Sequence, residues 1–315
     1  MKRLFVIVAL FSFINPLFAQ IKKQPKSIKE LNPDTILNFQ LDSAIVVTGK
    51  KGLFVQDFID EILNDTVFYM GFKKMKQYNF FAENDIVTFD KKYNRSAHIY
   101  KKIYHDNTGA NYAQKVINKL DSGEIYKRNG KYELFTVQMF SYIFENMNST
   151  EFTSTTPGRS EKSEEGYKDK LKVLIFSPGK PVKGVPFVSE KTAIFEPEMR
   201  KYYDYKFFSG TYMGNLPVYR FKCTAKPEYV NSDKVMIKEL TTIFDKRTFQ
   251  IVGRYIDMSY DNMAFSFDVK MNIEMNYVND DLLPVRISYN GNWDVPFKKK
   301  EIAAFNVKHY GYNKK

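Results

Sequence analysis

At 315 residues the chain has room for one large domain or two, and its single cysteine, Cys223, excludes an internal disulfide. A net charge of +12 is carried by scattered lysines, with no arginine-rich run or nucleic-acid signature, so solvated strand and loop faces account for it better than a nucleic-acid partner does. No G-x-S-x-G, H-E-x-x-H or phosphate-cradling glycine loop occurs, and no enzyme class is indicated.

The chain opens MKRLFVIVALFSFINPLFAQ. Lys2 and Arg3 precede an apolar run from Leu4 to Ile14, and Leu17-Phe18-Ala19 follows Pro16. This is the pattern of a signal peptide, residues 1–19, cut after Ala19. The run is too short to span a bilayer as an anchor. Export to the periplasm or medium is therefore expected, and removal of Lys2 and Arg3 lowers the positive charge by two. Residues 20–40 are polar and lysine-rich and read as a flexible N-terminal segment.

Residues 41–147 read as a mixed α/β part. Val55, Phe58, Ile59, Ile62 and Leu63 form one stripe of an amphipathic helix. TVFYMGFKKMKQYNFF (residues 66–81) and RSAHIYKKIYHD (residues 95–106) are rich in aromatic and aliphatic side chains and read as strands. NYAQKVINKL (residues 111–120) reads as a short helix through Tyr112, Val116, Ile117 and Leu120, and Asn129-Gly130 as a tight hairpin turn. TVQMFSYIFENM (residues 136–147) reads as a helix. Residues 148–170 are rich in Ser, Thr and charge, without apolar periodicity, and read as a polar linker or loop.

Residues 171–315 read as an antiparallel meander of about seven strands, by the pattern of alternation and short connections. A strand in KLKVLIFS comes first, followed by a Pro/Gly loop at Ser177–Pro186. The strands then run over Tyr202–Phe208, Leu216–Thr224, Lys234–Asp245, Thr248–Asp261, Met263–Tyr277, Leu283–Trp293 and Glu301–His309. In TFQIVGRYIDMSY the apolar phase slips near Gly253, which predicts a β-bulge. In MAFSFDVKMNIEMNY the odd positions are all apolar. With the following strand they give a candidate apolar wall: Phe265, Phe267, Val269, Met271, Ile273, Met275, Val285, Ile287, Tyr289 and Trp293. The fold class expected is α+β, a long antiparallel meander forming a curved sheet or incomplete β-barrel covered by a few helices. A closed membrane barrel fits less well, because irregular and helical segments precede the linker.

Polar side chains offer little chemistry. His98, His105 and His309 are far apart in sequence and lack a nearby cysteine, so no metal site is expected. Asp280-Asp281 reads as a solvated turn, and Asp257, Asp261 and Asp268 lack an evident acid–base partner. No catalytic residue and no cofactor are expected. Met258, Met263, Met271 and Met275 suit either a filled core or a surface that adapts to an apolar guest.

IFDKRTFQIVGRYIDMSYDN, Ile243 to Asn262, resembles the strand–turn–strand rhythm of the LolA/LolB-type lipoprotein carriers, with Asp245, Lys246 and Thr248 at the turn. The resemblance covers the C-terminal half. It implies a half-barrel with a lipid-sized hollow plugged by helices, and a lipid or lipoprotein acyl chain as partner. No ligand-gating residue of that family is carried over. The alternative is a structural or interaction protein of the cell envelope with a self-filled core, docking another envelope protein through Ser177–Pro186 and Tyr202-Tyr203. In either case peripheral contact with an anionic membrane surface suits the basic charge.

Overall fold

A computed structural model describes residues 45–46, 53–107, 113–145, 172–182, 188–261, 266–294 and 300–314. The expected signal peptide, the flexible segment 20–40 and the linker 148–170 lie outside these residues.

Eleven strands form one antiparallel sheet. The first part of the chain supplies β1 (Ile45–Val46), β2 (Tyr78–Phe89), β3 (Arg95–Asp106) and β4 (Ala113–Gly123). The second supplies β5 (Tyr203–Tyr212), β6 (Leu216–Ala225), β7 (Ile237–Asp245), β8 (Ile251–Asp261), β9 (Ser266–Val278), β10 (Asp281–Asp294) and β11 (Glu301–Lys314). The order is β1-β5-β6-β7-β8-β9-β10-β11-β2-β3-β4. β11 pairs with β2, so both parts of the chain share one sheet. Its ends, β1 and β4, do not pair with each other, and among the described residues the sheet is open. The meander β5–β11 follows the expected alternation, and the ladder shifts register between Ile243 and Phe244 where they meet Gly253 and Ile251. Val252 is the extra residue of that bulge.

Three expected elements differ. Residues 66–81 hold a helix before β2: Phe68, Phe72 and Met75 are buried at helical spacing in α2 (Val67–Lys74) and the turn that follows it. α1 (Val55–Asn64) precedes it with Phe58, Ile59 and Ile62 buried, and Asp65 accepts the backbone N–H groups of Val67 and Phe68 at 3.0 and 3.2 Å. That carboxylate anchors the start of α2, and Lys73 and Lys74 suit its C-terminal end. Aromatic content favours a strand here only until the spacing of the buried rings is known. Of the segment expected to be a helix at 111–120, residues 113–120 belong instead to edge strand β4, in which every side chain is exposed. Pairing with β3 overrides its helical stripe, and a register shift opposite Lys102 and Ile103, with Lys115 and Lys119, blunts the edge. Residues 172–176, expected as a strand, are helical.

The other helices are α3 (Phe135–Phe140), which continues as a π-helical turn over Ser141–Glu145, α4 (172–176), α5 (Ser189–Thr192) and α6 (Pro197–Arg200). α1, α2 and α3 lie along one face of the sheet. Phe58 of α1 packs among rings of β5, β6 and β7. α2 crosses β10 so closely that a Cβ on Gly71 would stand 2.5 Å from the Leu282 carbonyl oxygen. α3 lies on β11 through Phe140 and Phe305, whose ring centroids are 5.0 Å apart.

Asp281 is a hub rather than a solvated turn residue. It accepts from Lys74 at 2.6 Å, Tyr78 at 2.6 Å and Lys314 at 2.9 Å, tying α2, β2 and β11 together. These hydrogen bonds hold its carboxyl far below the usual carboxylate range.

Candidate functional site: an apolar wall under a helical cover

β9 and β10 align the candidate wall pair by pair: Phe267 with Trp293, Val269 with Gly291, Met271 with Tyr289 and Ile273 with Ile287. Phe267, Val269, Met271, Ile273, Met275, Ile287 and Tyr289 are buried. Trp293 is half-buried and donates its indole N–H to the Tyr289 hydroxyl at 2.6 Å. The alternation placed Val285 on the same face, and the ladder corrects this. Its register shifts between Pro284 and Arg286, leaving Val285 unpaired and half-buried. Phe265 and Met263 lie outside the described residues.

Val269, Met271, Tyr289 and Trp293 line a cavity of about 40 Å³, which Met258 of β8 and Phe305 of β11 complete on the sheet side. The opposite side is α3 and its π-helical extension, through Thr136, Met139, Phe140, Ile143 and Phe144, together with Ile175 of α4. Ligand pockets run to several hundred Å³, so the wall is closed by its cover and this space holds no more than a water or two. Phe267, Ile273, Met275 and Ile287 lie outside the cavity lining. Sequence reasoning missed Phe305, although Ala303, Phe305, Val307 and His309 alternate along β11 as clearly as the wall residues do.

Two charged side chains hold the cover. Glu301 at the start of β11 is buried and accepts the first two backbone N–H groups of α3, Phe135 at 2.5 Å and Thr136 at 2.8 Å. A carboxylate 165 residues away in sequence thus caps the helix that covers the wall. Glu301→Gln keeps the side chain's size and removes its charge. It is expected to loosen α3 by about 1 kcal/mol, read as faster hydrogen exchange confined to residues 135–144; unchanged exchange there would refute the cap.

Arg254 of β8 is the second. It is fully buried over the Phe68 ring at 4.5 Å and donates to the carbonyls of Ile175 and Phe176 at 3.3 and 3.1 Å. Its other neighbour is the Asp65 carboxylate, 4.0 Å away. Burial pulls the guanidinium down to about 10 and pushes the Asp65 carboxyl up, each against the attraction of the other. β8 is thereby joined to α4 and to the start of α2 at one point.

A second space of about 40 Å³ lies on the far side of α3, between β11, β2 and β3. Phe80, Ala82 and Asn84 of β2, Ile103 and His105 of β3, and Val307 and His309 of β11 line it. Phe80 stacks on His105 at 4.2 Å and meets His309 edge-on at 5.7 Å. Burial lowers His105 to about 4; burial, and then the neighbouring His105, lower His309 to about 3. Both imidazoles are neutral when folded and bind protons more readily when unfolded. Their contribution is complete above about pH 6.5 and is lost as the pH falls through 4 toward 3. Melting temperature is expected to fall over that window, and His105→Gln to flatten the fall; an equal slope in the variant would contradict it.

Asp257 faces Lys270 and Asp268 faces Lys238, each at 3.3 Å, so these carboxylates pair with lysines across strands. Tyr203, offered as an exposed docking residue, is buried and donates to the Ile237 carbonyl at 2.9 Å. Tyr202 is half-buried against Tyr229. Part of the Ser177–Pro186 loop lies outside the described residues. Among the described residues no three His, Cys, Asp or Glu side chains converge as a metal site, and no helix is long and apolar enough to cross a membrane.

No family model and no curated protein matches the chain. Two solved structures are similar to it. One is a LolA superfamily protein from Nitrosomonas europaea, 8% identical with a TM-score of 0.22, over 84% of this chain and 94% of that one. The other is a DUF1329 family protein from Desulfovibrio piger, 7% identical with a TM-score of 0.25, over 82% of this chain and 92% of that one. At these scores the functional reading rests on the wall and its cover.

Proposed function

We propose that this chain is an exported envelope protein that holds a lipid or acyl chain against the β9–β10 wall, with α3 as the movable cover. The observation that carries the reading is the construction of the cover. A short helix, capped by Glu301 of the underlying β11 and ending in a π-helical turn, closes a cavity lined on its sheet side by methionine, aromatic and aliphatic side chains. π-Helical turns interrupt regular hydrogen bonding and recur at functional sites. Thioethers adapt to guests of varied shape. The basic surface favours contact with anionic membrane lipid during loading or delivery.

The test is delipidation by unfolding, refolding in the presence of hexadecanoyl-chain lipids, and native mass spectrometry. A retained mass of one lipid supports the reading, and its loss in Met271→Trp, which fills the cavity, places the lipid at the wall. A protein that never retains a lipid belongs to the second reading: a structural or interaction protein of the envelope. The smallness of the cavity favours that alternative.

A further inference from the structure

The two spaces beside α3 share a wall. Phe140 and Phe144 line both of them. On one side are Val269, Met271 and Tyr289; on the other the lining turns polar, with Lys76, Asn84, His105 and His309. Displacing two rings on one short helical segment therefore joins an apolar trough to a polar end.

At that end one ammonium and one ring nitrogen have no partner among the described residues. Lys76 makes no ion pair among the described residues, although the neighbouring Lys74 is paired with Asp281. Burial, and then Lys73, lower its ammonium from the usual lysine value, so an anion placed beside it would relieve that pressure. His309 carries a buried Nδ1 with no hydrogen-bond partner among the described residues. Its other nitrogen serves the Pro284 carbonyl, so Nδ1 is the acceptor of a neutral ring. A cation beside a free acceptor suits an oxo-acid: an ionised oxygen accepts from the ammonium, and a phosphate monoanion keeps a P–OH that donates to the imidazole, whereas a carboxylate is held by the ammonium alone.

Resting on the carrier reading above, we propose that the guest is a single-chain amphiphile with an anionic oxo-acid head, a carboxylate or a phosphate. The head lies against Lys76 and His309, and the chain runs past Phe140 and Phe144 along Met271 and Val269. The site is assembled when α3 moves.

The experiment titrates the delipidated full chain with hexadecanoate, hexadecyl phosphate, hexadecan-1-ol and inorganic phosphate, in the wild type and in Lys76→Gln. The two acids are expected to bind at least tenfold more tightly than the alcohol. Lys76→Gln should bring them down to the level of the alcohol and leave the alcohol unchanged. His309→Phe serves as a second variant, and circular dichroism melting confirms that each folds. Equal binding of acids and alcohol by the wild type, or an equal loss for all three in Lys76→Gln, overturns the head-group assignment and leaves the carrier reading standing. Retention of none of the three chains overturns both. Inorganic phosphate that binds as tightly as hexadecyl phosphate makes this a free-anion site and overturns the amphiphile.

Discussion

Phe58→Ala is expected to destabilise the protein by about 3–5 kcal/mol, the range for emptying a fully buried aromatic site. Phe58 is completely buried. Its ring lies 4.9 Å from Phe207, 5.1 Å from Phe221 and 5.2 Å from both Phe244 and Phe249, with Tyr219 edge-on at 6.0 Å. Phe207, Tyr219, Phe221 and Phe244 stand on three hydrogen-bonded strands, which cannot close inward to fill the gap. Phe249 sits at the β7–β8 turn with φ of 60°. A bulky residue holds that left-handed backbone only when packing compensates for its cost, and the Phe58 ring is part of that packing. Urea unfolding of Phe58→Ala and Phe58→Leu reads the effect: the leucine variant should lose less than half as much as the alanine. A loss below about 1 kcal/mol in the alanine variant would show that α1 is not the anchor of this end of the core.

Arg254→Met is the second large effect, and it acts through charge rather than volume. The methionine fills much of the same space but leaves the carbonyls of Ile175 and Phe176 without their donor and Asp65 without its nearest cation. Removing one member of a buried ionic group costs about 3–5 kcal/mol, because the remaining charge stays desolvated. Burial already pushes the Asp65 carboxyl up with the guanidinium in place; without it the carboxyl should take up a proton at higher pH. A second substitution, Asp65→Asn, keeps an oxygen for the N–H groups of Val67 and Phe68 and removes the stranded charge. The double variant is expected to recover about 1–2 kcal/mol relative to Arg254→Met. An Arg254→Met protein as stable as the wild type would mean that attraction and desolvation already cancel here, and that the clamp does not hold α4.

The meander was legible because its strands obey a period of two and its connections are a few residues long. That pattern fixes which side chains share a face wherever the ladder is regular, and Phe267, Val269, Met271, Ile273 and Met275 are all buried as alternation requires. It fails at Val285, because one extra residue in β10 reverses the phase and nothing in LLPVRI marks the place except Pro284. The same device was visible in β8 because Gly253 accompanies it. Local pattern also misassigned α2, β4 and α4. Residues 67–74 carry β-favouring aromatics, yet their burial follows a helix. Residues 113–123 carry a helical stripe, yet they are captured by β3. α2 is decided by β10, far along the chain, and β4 by its hairpin neighbour β3 just before it, and a window confined to either segment contains no trace of that partner.

The site was half legible for the same reason. The wall is a strand property and could be read; the cover could not. Residues 136–147 read as a helix, but that Phe140 and Phe144 lie over Met271 and Phe305 depends on the packing of α3 against β11. Glu301 reaches the start of α3 from β11, the strand beneath it and 165 residues away in sequence, and Arg254 stands in an otherwise apolar strand stretch where a lone basic residue reads as solvated. Both are visible only as buried charges with backbone partners. His105 and His309, unrelated in sequence, face one space because β11 and β3 flank β2 in the sheet.

The central claim is that α3 is the cover of a guest site on the β9–β10 wall. Hydrogen exchange of the delipidated protein, with and without a saturating hexadecanoyl-chain lipid, tests it most directly. The account predicts that exchange of residues 135–144 changes at least tenfold on binding while β9 and β10 keep their protection. A lipid that binds and leaves α3 unchanged, or that alters only the exposed edge at β4, would contradict it.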